Sequence, residues 1–165
     1  MAGQKLTVET DIKTSPLSES LQKEYLAFCR FLSDNDFLIE AEADGNGWQF
    51  RYGDRCVGHM NFSIVDHANV PAGGVWIDVC DFGGSNAAEN ALKESTWAHV
   101  RMCEHFASGG AQCGCGNQPG STMVLFGKTF ENLCFAALEY ISPAAKTLED
   151  IKKLMLLFRQ YGSAM

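Results

Sequence analysis

The sequence predicts an α+β fold: an antiparallel meander sheet of about five strands packed with three helices. Three observations carry this. Between residues 37 and 82, apolar and polar residues alternate in consecutive segments, the period of a strand with one buried face. Segments before and after repeat apolar residues every three or four positions, the period of a helix. Short turns rich in Gly, Asn and Asp join the alternating segments, so neighbouring strands run antiparallel without crossover helices.

The elements follow in order. Residues 1–14 are polar and weakly patterned, and are read as an N-terminal arm with Leu6, Val8 and Ile12 as a candidate edge strand. Residues 15–165 are read as a single α+β domain. Ser15-Pro16 fits a helix start, with Ser as the cap and Pro at the first position. Leu17, Leu21, Tyr25, Phe28 and Leu32 give that helix its apolar stripe, and Cys29 sits beside Phe28 as a small core residue. Phe37 to Ala43 is a short strand. Asp44-Gly45-Asn46-Gly47 is a turn, after which Trp48, Phe50 and Tyr52 alternate with Gln49 and Arg51.

Cys56, Gly58, Met60, Phe62 and Ile64 alternate with Val57, His59, Asn61 and Ser63, and Val75 to Phe82 is the next strand. A second helix is expected from Ser85 or Asn86 to about Phe106, with His99 and Cys103 on one stripe. Met123 to Phe126 reads as a strand, and Phe130 to Leu138 as strand or helix. Ser142-Pro143 starts the last helix, which Leu148, Ile151, Leu154, Met155 and Phe158 make amphipathic.

Charge and cysteine usage narrow the function. The formal net charge is -7. A surface of that sign repels phosphate backbones, so no nucleic-acid partner is expected. No basic-plus-apolar leader and no apolar run of bilayer length occur, so a cytoplasmic protein with no membrane partner is expected. Seven cysteines, an odd number in a chain of 165 residues, argue against a secreted disulfide scaffold. In a reducing compartment, clustered cysteines point to metal or redox chemistry.

Four of the seven fall between Cys103 and Cys134. His99 and Cys103 are four apart, which on a helix puts them on one face. Cys113 and Cys115 lie among Gly109, Gly110, Gly114 and Gly116, whose backbone can curl around an ion. His99, Cys103, Cys113 and Cys115 are therefore candidate zinc ligands, with His105 or Cys134 as replacements. One residue between the paired cysteines, rather than two, is the departure from zinc-knuckle spacing. A competing reading makes Cys103 and Cys134 core residues. Gly127-Lys128-Thr129 lacks the glycine five positions earlier that a phosphate loop needs, since Thr122 stands there.

A second candidate is the polar side of the meander. His59, Asn61 and Ser63 share a strand face that simple pairing extends to Gln49, Arg51 and Asp78, with Trp48 or Trp76 at the edge. Arg51, His59, Asn61 and Trp76 are the candidate ligand-binding residues. The competing reading is an ordinary wetted sheet face.

Residues from about 97 to 160 resemble a small bacterial α+β family of uncharacterised proteins. The likeness lies in Trp97-Ala-His99-Val, a Cys/Gly-rich loop ending in Pro119-Gly120, and the segment Phe126-Gly-Lys-x-Phe-x-Asn-x-Cys134. It also includes Pro143 ahead of Leu148-Glu-x-Ile-Lys-Lys-Leu154. The resemblance implies that Cys103, Cys113, Cys115 and Cys134 belong to one motif. It implies no activity.

The leading expectation is a non-enzymatic binding protein, a homodimer through one sheet face, whose Cys-rich loop takes zinc. The alternatives are a small-molecule effector-binding domain on the polar sheet face and a thiol-dependent enzyme or redox protein.

Overall fold

The computed structural model describes residues 7–78, 88–103 and 121–161. The fold is α+β, with four helices and seven strands among the described residues. The chain divides into two compact units. The first comprises Met1–Val75 and Ile141–Lys152, and the second Trp76–Tyr140 and Lys153–Met165. The three boundaries fall inside β4 (Gly74–Ile77), at the end of the strand that closes on Ile141, and inside α4 (Ala145–Tyr161).

The first unit opens on α1 (Val8–Thr14), where an arm or edge strand is expected from the sequence. The deciding local feature is Thr7: its hydroxyl accepts the Thr10 N–H and caps the helix, and Ile12 is fully buried. Ser15 ends α1 rather than starting the next helix, and its N–H donates to the Ile12 carbonyl. Ser18 instead caps α2 (Glu19–Asp34) by accepting the Leu21 N–H.

Tyr25, Phe28, Cys29 and Leu32 form the buried stripe of α2. It packs edge-to-face on the sheet, Phe28 against Phe50 at 6.1 Å and Tyr25 against Phe62 at 5.1 Å. Burying each such side chain stabilises the unit by about 1.5–3 kcal/mol.

The sheet of this unit follows the expected meander, in the order β1-β2-β3-β4. β1 (Phe37–Ala41) pairs antiparallel with β2 (Trp48–Tyr52), and β2 with β3 (Arg55–Asn61). Phe50, Val57 and Met60 face the helices and are buried. Gln49, Arg51, Cys56, His59 and Asn61 are half-buried.

In the second unit, α3 (Asn90–Trp97) ends nine residues before the stop expected near Phe106. The physical reason is competition from a long strand. β7 (Lys128–Ile141) offers its edge, and Val100 to Met102 pair with it as β5, Val100 opposite Leu138. The His99 N–H closes the last helical turn on the Thr96 carbonyl. β6 (Ser121–Leu125) forms a hairpin with β7 through Phe126 and Gly127, both at positive φ, as a two-residue turn demands. The segment from Phe130 to Leu138 is thereby strand, not helix. The strand expectation over residues 79–82 lies outside the described residues.

Candidate functional site

The site is built on an irregularity in β3. Trp48 pairs with Met60, Gln49 with His59 and Phe50 with Gly58, but Arg51 pairs with Cys56. Val57 is the extra residue, a β-bulge. Strict alternation would put Cys56 and His59 on opposite faces, because they are three apart. The bulge cancels one step, so Val57 and Gly58 are both buried while Cys56 and His59 share the half-buried face. Cys56 Sγ lies 3.6 Å from His59 Nε2 and 3.7 Å from the Gly58 carbonyl oxygen.

The third member comes from the turn after β1. Glu42 donates its N–H to the Gly47 carbonyl and accepts the Gly45 N–H, which closes the turn. Gly45 takes φ +73, a conformation that suits glycine. Gly47 is needed for space: a Cβ there would stand 2.8 Å from the Met60 carbonyl oxygen and 3.3 Å from Glu42 Oε2. Asp44 pins the turn tip by accepting the backbone and side-chain N–H groups of Asn46, and these bonds hold its carboxyl below the usual carboxylate range. So placed, Glu42 Oε1 meets His59 Nδ1 at 2.6 Å, with 26% and 29% of the two side chains exposed.

This chain of contacts assigns roles. An ionised carboxylate only accepts, so Glu42 fixes a proton on His59 Nδ1 and turns the Nε2 lone pair toward the thiol. Nε2 can then take the thiol proton, and Glu42 steadies the imidazolium that results. Arg51 stands directly across from Cys56 and donates to the Asp54 carbonyl. Cys56 is a free thiol. Cys29, in the core of the same unit, is free too, but burial and then the charge of Glu9 push its thiol up to about 12.

Of the ligand-binding residues expected from sequence, Arg51 and His59 do share the polar face. Asn61 turns its amide to the Asn46 carbonyl. Trp76 lies in the second unit, where its indole N–H donates to Glu139 Oε1, a carboxylate oxygen that also sits 3.3 Å from Arg101.

Of the expected zinc ligands, His99 follows α3 rather than lying within it. Its ring stacks on Tyr140 at 4.3 Å and its Nδ1 meets the Ser95 carbonyl. Cys103 follows β5, is 2% exposed, and donates its backbone N–H to the Asn132 carbonyl. The expectation that His99 and Cys103 share a helix face is therefore corrected. Cys134 lies half-buried on β7. Cys113, Cys115 and His105 fall outside the described residues. Among the described residues, no set of three ligating side chains gathers around His99, Cys103 or Cys134.

Sequence reasoning missed Cys56 and Glu42. The available signal for Cys56 was Gly58, since a glycine inside a strand often marks a bulge. Comparison with protein families, with curated proteins and with solved structures gave no match. No helix among the described residues is long and apolar enough to cross a membrane.

Proposed function

We propose that the protein is a thiol-exchange protein whose reacting atom is Cys56 Sγ. The observation that supports this most is the unbroken Cys56–His59–Glu42 chain, with contacts of 3.6 and 2.6 Å. A nucleophile, a base and a group that orients the base are what an activated thiol requires.

The electrophile is a small disulfide bearing a carboxylate. Arg51, opposite Cys56, supports that choice, because a guanidinium matches a carboxylate with two parallel hydrogen bonds. In the step itself, His59 takes the thiol proton and the thiolate attacks one sulfur of the disulfide. The other sulfur leaves and recovers the proton from His59, so a mixed disulfide and a free thiol result. Such chemistry suits a reducing compartment, and we place the protein in the cytoplasm on that ground.

Oxidised glutathione serves as the test disulfide, with intact-mass and peptide-mapping readouts. One adduct per chain is expected, on Cys56, and His59→Gln slows its formation by about 100-fold. Arg51→Ala is expected to slow glutathione transfer while leaving the rate with an uncharged disulfide unchanged. Cys56 that reacts no faster in the parent protein than in His59→Gln defeats the reading.

A further inference from the structure

We infer that Cys56 and His59 also bind a soft divalent metal of the zinc class, and that the bound metal silences the thiol. This rests on the same thiol and imidazole as the exchange reading, but on a different property of their geometry. Zinc bonds of about 2.3 Å to sulfur and about 2.0 Å to imidazole nitrogen, at a tetrahedral angle, put the two ligand atoms about 3.5 Å apart. Cys56 Sγ and His59 Nε2 stand 3.6 Å apart. They already span one edge of a zinc tetrahedron without rearrangement.

The surroundings match as well. A zinc-bound histidine characteristically gives its other ring N–H to a carboxylate, which fixes the tautomer and strengthens the ligand. Glu42 holds His59 Nδ1 at 2.6 Å in that role. Sulfur and imidazole together select zinc or copper(I) over magnesium or calcium, which take oxygen ligands. Two protein ligands from one strand hold a metal less tightly than a closed four-ligand site, so the metal is exchangeable rather than structural. The bulge at Val57 creates the edge, since without it the two ligands point to opposite faces.

Regulation follows from the electron pairs. Metal coordination uses the Cys56 sulfur pair that attacks a disulfide and the His59 pair that accepts the proton. A metal-loaded protein is therefore inert in exchange, and chelation restores it.

The experiment titrates reduced, metal-free full-length protein with zinc while following iodoacetamide alkylation of Cys56. Cobalt replaces zinc in a parallel titration read by absorbance. One equivalent of zinc is expected to slow alkylation by at least about tenfold, with recovery on adding a chelator. Cobalt should give a thiolate-to-metal charge-transfer band that is absent in Cys56→Ser and in His59→Gln. Glu42→Gln is expected to weaken zinc binding by about 10–100-fold while keeping the band. Circular dichroism on each variant confirms that the fold is retained.

Zinc that binds with no effect on Cys56 alkylation overturns the inference. So does metal retained in Cys56→Ser but lost on replacing Cys113 and Cys115, which would assign it to the Cys/Gly-rich loop. The exchange reading fails separately, through the metal-free alkylation rates of the parent and His59→Gln proteins.

Discussion

Among the described residues, each unit holds a histidine and a cysteine a few residues apart, and in the first the two side chains meet. In the first, His59 and Cys56 are three apart on a bulged strand, and the imidazole is held by a carboxylate. In the second, His99 and Cys103 are four apart, and each is taken up by its own surroundings. Tyr140 stacks on the His99 ring, the Ser95 carbonyl meets its Nδ1, and Cys103 is sealed in the core. The difference teaches that sequence proximity of ligating residues is a poor guide to chemistry. What matters is the backbone path between them and whether a third polar group waits at the right distance.

The strongest way to break this contrast is to insert one alanine into β2 between Phe50 and Arg51, as a partner for Val57. With the strands matched residue for residue, β3 alternates strictly and Cys56 and His59, three apart, fall on opposite faces. Alkylation of Cys56 is expected to fall to the rate of the His59→Gln variant, and stability to drop by about 1.5–3 kcal/mol for one buried side chain turned outward. Urea denaturation and a labelling time course measure the two effects.

A smaller effect sharpens the contrast within the first unit itself, between Cys56 and the core thiol Cys29. Burial raises the Cys29 pKa from 9.0 to about 12, so the folded state favours the protonated thiol. Its contribution is complete below pH 9 and is lost as pH climbs toward 12. The loss should reach about 1 kcal/mol near pH 10. Melting temperatures between pH 8 and pH 10.5 should fall less steeply in Cys29→Ala than in the parent.

The smallest effect tests the second unit as a structural region. Lys128 lies 5.1 Å from the ring centres of both Trp97 and Phe130, and the Trp97 indole donates to the Leu125 carbonyl. Lys128→Ala is expected to lower stability by about 0.5–1 kcal/mol, and to leave Cys56 alkylation unchanged.

The α+β class, the meander and the strands from Phe37 to Asn61 were legible in the sequence, because strand alternation is a local signal with few competitors. Gln49 on the same face as His59 was legible for the same reason. Three things were not. Ser15-Pro16 looks like a helix start, yet Ser15 closes one helix and Ser18 caps the next, since a serine hydroxyl can donate to an orphan carbonyl at a helix end or accept an orphan N–H at a helix start. The helix expected to reach Phe106 stops at Trp97, because Val100 and Met102 find strand partners in the distant Leu138 and Leu133, and no local pattern announces that. Most consequentially, counting by twos put Cys56 on the buried face. Gly58 marked the irregularity but not which residue would be the extra one.

The segmentation of the first unit bears on how the protein is made. Its sheet and its first two helices are complete by Val75, yet it also contains Ile141–Lys152. A ribosome must therefore synthesise the chain through Lys152 before this unit has all its parts. Until then Phe31 of α2 lacks Lys152, whose ammonium lies 5.8 Å from the centre of its ring. Truncation ahead of residue 141 should yield a chain dependent on chaperones.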